Sequence, residues 1–219
     1  MTVNVKANIT KQFKKYIYPF KCSNMFLETI CIKKGIVQNI EAHLERMSNA
    51  GIHFGFYLPK LPNLLELVPA ELQESKKVKC SVVYHKEILS ITFSDYRPKR
   101  INSLKLVKTD IEYPFKFSER SVLNTLLQEK GDCDEILIVK NNFISDPSFS
   151  NVVFRKDDEF FTPDTYLLNG TKRQQLLREK KICETRITAD DLIHFDTIHL
   201  INAMLDLEED LGVSVVKII

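Results

Sequence analysis

The chain has 219 residues, 44% hydrophobic and 27% charged, with 6 glycines and 8 prolines; this is the composition of an ordered globular protein with one large or two modest cores, and it excludes a disordered tail. A formal net charge of +2 lacks the basic excess of a duplex-binding surface, so nucleic acid is not an expected partner. No run approaches the roughly 18 apolar residues of a bilayer span, and Lys6, Lys11, Lys14 and Lys15 interrupt the stretch a signal peptide would need, so a soluble, cytoplasmic protein without a membrane partner is expected.

In chain order, Phe26 to Ile32 reads as a strand, Lys33-Lys34-Gly35 as a turn and Ile36-Val37 as its short antiparallel partner. Asn39 is placed to cap a helix carrying Ile40, Leu44 and Met47 at i, i+4 and i+7, with Gly51 as its stop. A second helical segment is predicted from Asn63 through Leu72, then strands at Lys79 to Tyr84 and Ile88 to Phe93. Together these form a small α+β domain, residues 1–100. The proline- and charge-bearing stretch Ser94 to Pro114 reads as the connection to a second domain, residues 101–219.

In that domain Ser118 is placed to cap a helix with Val122, Leu123, Leu126 and Leu127 on its apolar side, ending at Gly131. Ile136 to Val139 reads as a buried strand and Asn141-Asn142 as a tight hairpin turn. Asn151 to Phe154 and Phe160 to Thr162 form further β structure around an Asp157-Asp158 turn. Leu167-Leu168-Asn169-Gly170 leads into a helix through Glu179, Thr188 with Asp191 resembles a capping box, and the last strands are Ile198 to Asn202 and Val213 to Ile218. The five cysteines, Cys22, Cys31, Cys80, Cys133 and Cys183, are scattered and never in a C-x-x-C pair, and the histidines lack ligand spacing. Neither a disulfide framework nor a metal site is expected.

Four positions invite chemistry, each with an ordinary alternative. Strand alternation through Phe115-Lys116-Phe117 sets Lys116 apart from two aromatic rings; a desolvated amine suits imine formation, while an edge-strand lysine is the ordinary alternative. Gly170-Thr171-Lys172 at a helix start offers free N–H groups to a phosphate, or is a plain strand-to-helix turn. Arg46 is either an anion ligand or a solvated helix arginine, and Asp146 either a working carboxylate or Asp-Pro turn chemistry.

The order of these residues, from about residue 26 to the C-terminus, resembles the class IV pyridoxal-phosphate aminotransferase and aminodeoxychorismate lyase family. Leu27-Glu28-Thr29-Ile30 and His43-Leu44-Glu45-Arg46 are similar to its F-E-T-I strand and H-x-x-R helix; Lys116-x-x-x-Arg120 is similar to the K-x-x-N-R block of the lyase branch. Asp134-Glu135-Ile136-Leu137 and Asp146-x-x-x-x-Asn151 resemble D-E-x-L and E-x-x-x-x-N. Thr162-Pro163, Leu167 to Arg173 and Asn202-Ala203-Met204-Leu205 resemble T-P, L-L-x-G-I-T-R and N-A-L-M.

The resemblance implies a two-domain α/β (α+β) fold of the D-amino acid aminotransferase type, with a small N-terminal α+β domain and a larger C-terminal pseudo-barrel domain, assembled as a homodimer. It makes Lys116 the imine-forming catalytic lysine of pyridoxal 5′-phosphate and Asp146 the partner of the pyridine nitrogen. Asn151 belongs to the same cofactor-side motif, and Arg46 with the backbone at Gly170, Thr171 and Lys172, near Asn202 and Ala203, is expected to grip the phosphate. Three positions depart from the pattern: Asp146 where Glu is usual, shorter by a C–C bond of about 1.5 Å; Lys172 where a threonine hydroxyl is usual; and Asp206 where proline is usual. The N-terminus also lacks the family's usual first strand and loop. The leading implied activity is the lyase reaction that converts 4-amino-4-deoxychorismate to 4-aminobenzoate and pyruvate for folate synthesis. The alternatives are a transaminase acting on branched-chain or D-amino acids and a member that has lost catalysis.

Overall fold

The computed structural model describes residues 2–4, 25–209 and 211–219; Lys6, Lys11, Lys14, Lys15 and Cys22 lie outside them. Among the described residues no helix is long and apolar enough to cross a membrane. The chain divides into two compact units: Met1–Arg97 with Phe115–Glu119, and Pro98–Pro114 with Arg120–Ile219.

The first unit is built on an antiparallel sheet of β1 (Thr2–Asn4), β2 (Phe26–Lys33), β3 (Ile36–Val37), β4 (Lys77–Tyr84) and β5 (Ile88–Asp95), in the order β1-β5-β4-β2-β3. Strict alternation in β4 buries Val78, Cys80, Val82 and Tyr84, and the facing residues Ile30 and Ile32 of β2 with Ile91 and Phe93 of β5 complete the core. Lys34 and Gly35, both at positive φ, turn β2 into β3. Helix α1 (Ile40–Phe54) buries Met47 and Ala50 against Phe26, Phe56 and Tyr84.

Three local expectations fail here. Gly51 lies inside α1, where a Cβ would come 2.5 Å from the Phe56 carbonyl oxygen, and the helix ends instead at Gly55, whose φ of 71° suits a left-handed cap. Asn39 is itself left-handed and makes no side-chain cap. The helix predicted from Asn63 to Leu72 is reduced to two 3-10 turns, Leu65–Leu67 and Ala70–Leu72, with Pro69 extended between them.

Phe115–Glu119 lies with the first unit, whereas the sequence assigned it to the second domain. The Leu27 N–H donates to the Lys116 carbonyl at 2.9 Å and the Ser118 N–H to Met25 at 2.8 Å. Phe115 and Phe117 pack on the Phe26 and Phe54 rings, with centroids 5.0–6.4 Å apart; Phe117 stacks on Phe26 and the other three pairs meet edge to face.

The second unit has two sheets. β6 (Leu104–Lys108) runs parallel to β7 (Glu135–Lys140), which pairs antiparallel with β8 (Phe143–Ile144). β6 falls in the stretch read as a mere connection; Leu104 and Val107 are buried there. Helix α2 (Ser121–Leu127) covers the parallel pair with Leu123 and Leu126, while Val122 is exposed. β7 is buried on both faces, as a parallel strand under a helix should be. Asn141 and Asn142, at φ 50° and 67°, make the expected tight turn.

The other sheet runs β11-β10-β9-β12-β13, from β9 (Asn151–Lys156), β10 (Glu159–Pro163), β11 (Cys183–Thr185), β12 (Thr197–Ile201) and β13 (Val213–Ser214). β10 and β11 are parallel, joined through helix α3 (Thr171–Arg178). The Thr188 hydroxyl and Asp191 carboxylate exchange the bonds of the anticipated capping box. The strand expected over Val213 to Ile218 stops at Ser214 and gives way to a 3-10 turn, Val215–Lys217.

Candidate active site

In the first unit the strand period places Phe26, Glu28, Ile30 and Ile32 on one face of β2, so a carboxylate stands in an apolar row opposite Val82. Glu28 is fully inaccessible. Two residues three apart on α1, and so on one helix face, answer it. Arg46 donates from Nε to Oε1 at 2.9 Å and from Nη2 to Oε2 at 2.5 Å, and His43 Nδ1 lies 2.6 Å from Oε2. Burial by itself pushes the Glu28 carboxyl up. The Arg46 charge and the bonds from His43 and Arg46 overcome it and bring the group down to about 2. His43 is buried too, with Nε2 unpartnered.

Arg46, the candidate phosphate arginine, thus has a fixed orientation, with Nε and Nη2 engaged on Glu28. Lys116 is partly buried, its backbone tied to β2 and its two phenylalanine neighbours packed together in the aromatic cluster of this unit.

In the second unit Asp146 leaves β8 in the loop toward β9 and is 5% exposed. Its Oδ1 accepts from Asn151 Nδ2 at 2.8 Å, and its Oδ2 from the Leu167 and Leu168 N–H groups at 2.9 and 3.1 Å. Burial raises this carboxyl to about 6, because those donors and the Arg173 charge offset only part of the desolvation. A carboxylate has roughly four acceptor positions, so these three bonds orient the group and leave room for one more, on Oδ1.

Asn151 also donates to the Leu168 carbonyl at 2.8 Å, and its Oδ1 lies where a Cβ at Gly170 would collide. Asp146, Asn151, Leu167-Leu168 and Gly170 are thereby one interlocked cluster ending at the start of α3. Thr171 is buried, and Gly170 at the N-cap offers no side-chain cap. Lys172 Nζ lies 3.1 Å from Asp206 Oδ2, so two of the three positions that depart from the family pattern pair with each other. Asn202 accepts from the Met204 and Leu205 N–H groups at 2.8 and 3.0 Å, folding Ala203 into a tight turn, and donates to the Phe149 carbonyl at 3.3 Å.

Two groups passed over by the sequence reading support this cluster. Arg173 is 2% exposed, bonded to Glu184 and to the Pro163 carbonyl and stacked on Tyr166. Glu135, buried at the start of β7, accepts from the Ser148 N–H and hydroxyl, while Arg120 donates to the Ser148 carbonyl. The signal for Glu28 was available, since it occupies a core register of an apolar strand; Arg173 and Glu135 lie within the motif blocks, which gave them no role of their own.

The second unit has the features an anionic ligand needs. The first turn of α3 holds Lys172 and Arg173 and no acidic residue, although the helix dipole there favours an anion. Ser145 Oγ, Ser150 Oγ and Arg173 Nε are buried polar atoms without a hydrogen-bond partner, one of them in that turn and one adjoining Asn151. These residues fit a phosphate-bearing cofactor. Among the described residues no group of three His, Cys, Asp or Glu is placed to hold a metal ion.

The family model for amino-transferase class IV matches residues 25–207. An uncharacterized protein of Haemophilus influenzae is 40% identical over 181 residues, 81% of this chain and 96% of that one. A solved structure from Haemophilus somnus, provisionally named a 4-amino-4-deoxychorismate lyase, is 33% identical with a TM-score of 0.75, covering 88% of this chain and all of that one. A hypothetical aminotransferase from Mycobacterium tuberculosis in its PLP-bound form shares the fold, with TM-score 0.69 at 16% identity over 89% of this chain and 81% of its own.

Proposed function

From the premise that the chain belongs to the class IV aminotransferase family, whose members depend on pyridoxal phosphate, we propose that it is a lyase splitting 4-amino-4-deoxychorismate into 4-aminobenzoate and pyruvate. The observation that carries the choice of reaction is the 33% identity with the Haemophilus somnus protein over that chain's whole length. The reaction is an elimination whose two products together contain every atom of the substrate, so it requires neither keto acid nor oxidant.

When bound, pyridoxal phosphate supplies an aldehyde carbon for an amine and a ring that accepts the electrons of the deprotonated substrate. With the cofactor bound, Lys116 Nζ would be the amine that holds it, the base for the proton on the substrate ring carbon and the acid toward the departing enolpyruvyl group. The remaining acceptor position on Asp146 Oδ1 would receive a ring N–H of the cofactor and keep its proton in place. The shorter side chain, relative to glutamate, is held rigid by Asn151, Leu167 and Leu168. The backbone at Gly170, Thr171 and Lys172, with Asn202 and Ala203 beside it in the motif, binds the phosphate. In the first unit Glu28 fixes the orientation of Arg46, the residue at the position of the family's H-x-x-R arginine.

The proposal includes a cytoplasmic setting and a homodimer; Ile52 and Tyr57, 78% and 95% exposed, supply apolar surface that a second copy would cover. The test is product release from 4-amino-4-deoxychorismate by the chain loaded with pyridoxal phosphate. Pyruvate and 4-aminobenzoate should form in equal amounts without added keto acid, and Lys116→Ala should abolish both the turnover and the adduct that borohydride fixes to the wild-type chain. Turnover only with an amino acid and a keto acid would make it a transaminase. Failure to take up the cofactor would leave the reading of lost catalysis.

A further inference from the structure

Lys172 and Asp206 replace a threonine and a proline of the family pattern, and they do so as a pair, Nζ to Oδ2 at 3.1 Å. Lys172 is 13% exposed, so its ammonium is held against the protein rather than released into water. It sits in the first turn of α3, where a positive charge opposes the helix dipole unless an anion is near. Arg173 beside it has its charge answered by Glu184 and is committed to holding the Pro163 carbonyl. Lys172 instead meets a carboxylate whose own position is fixed independently.

That fixing is specific. Asp206 Oδ1 accepts the Leu207 N–H at 2.9 Å, which turns Oδ2 toward the lysine. The residue follows directly on the Asn202–Leu205 turn, closed by reciprocal backbone bonds of 3.1 Å and by the Asn202 side chain. An ammonium carries three N–H donors, so the bond to Asp206 sets the direction of a flexible four-carbon stem and leaves donors for an oxyanion at the same helix turn.

We infer that Lys172 Nζ is this chain's ligand for the cofactor phosphate in place of the family's threonine hydroxyl, and that Asp206 is the positioning residue that aims it. The inference rests on the pyridoxal-phosphate reading above. It adds a charge where the family uses a neutral donor, so the two forms of the cofactor that differ only in phosphate should separate its effect from everything else at the site.

The experiment is titration of the full-length chain with pyridoxal phosphate and with pyridoxal, followed by absorbance, for wild type, Lys172→Met, Lys172→Arg, Asp206→Asn and the Lys172→Met/Asp206→Asn double variant. Lys172→Met should weaken pyridoxal phosphate about tenfold or more, the worth of a charge-assisted bond, and leave pyridoxal within about twofold. Lys172→Arg should restore most of the loss. Asp206→Asn should weaken the phosphate form about threefold, and this effect should vanish in the Lys172→Met background, as expected of a residue acting through another. Equal weakening of both ligands would reduce the pair to a structural contact, and tighter phosphate binding in Asp206→Asn would make Asp206 a competitor instead of a guide; either result overturns the inference alone. If the wild type takes up neither ligand, the cofactor reading itself falls and this one with it.

Discussion

Glu28 in the first unit and Asp146 in the second are carboxylates with almost no access to water, yet their protons are held in opposite ways: Glu28 is brought down to about 2 and Asp146 pushed up to about 6. Burial raises both. The difference lies in the partners, a bidentate guanidinium with an imidazole for Glu28 and one amide with two backbone N–H groups for Asp146. Neutral donors orient a carboxylate without repaying the full cost of desolvating its charge, whereas a cation in contact does so. Glu28 is built to remain an anion and hold Arg46 still. Asp146 is built to sit near a proton it does not fully own, which suits a group whose proposed partner is a ring N–H.

The strongest test of that contrast is to remove the cation. Arg46→Met should destabilise the protein by about 3–5 kcal/mol, as losing one member of a buried pair does, and Glu28→Gln in the same chain should recover part of the loss; urea unfolding of the three variants would measure it. If Arg46→Met is nearly neutral, Glu28 does not depend on Arg46 as described.

Next in size is the response to acid. Glu28 has a depressed folded value, so its stabilisation is fully present above its ordinary 4.5 and is lost as pH falls toward 2. Asp146 has a raised folded value, so its contribution is present below its ordinary 3.8 and is lost as pH rises through about 6. Each shift is worth about 3 kcal/mol at most. Protection of backbone amides, corrected for intrinsic exchange, should therefore increase in the second unit between pH 6 and 4 and decrease in the first below pH 4.5. Asp146→Asn should remove only the former slope. The smallest expected effect is that of Asn151→Ala, about 1 kcal/mol for one buried bond, with the Asp146 titration displaced further upward because one of the donors favouring its anion is gone.

Much of this was legible in the sequence, and the parts that were not share a cause. The β2-turn-β3 hairpin, the Asn141-Asn142 turn and the Thr188–Asp191 box depend on neighbours within a few residues and formed as read, and α1 did so apart from its two ends. Gly51 misled because its reason for being glycine is the Phe56 carbonyl, which only the finished helix end brings close. β6 was missed because a five-residue strand at the edge of its sheet, with only Leu104 and Val107 buried, carries little periodicity of its own. At the candidate site the order of the motifs singled out Lys116, Arg46, Asp146 and Gly170 as candidates, but not what holds them. Lys172 and Asp206 are 34 residues apart and looked like two separate departures until the fold set them side by side.

The return of Phe115–Glu119 to the first unit has a consequence for how this protein can be divided. Neither unit is a contiguous stretch of chain, since the backbone passes from one to the other three times. A gene fragment ending at residue 100 would encode the first unit without Phe115 and Phe117, and so with its aromatic cluster open on one side. Lys116 would be left behind on the other fragment. The two halves are not interchangeable cassettes: the lysine proposed to carry the chemistry is encoded downstream of the boundary but finds its place only when the upstream unit has folded around its neighbours.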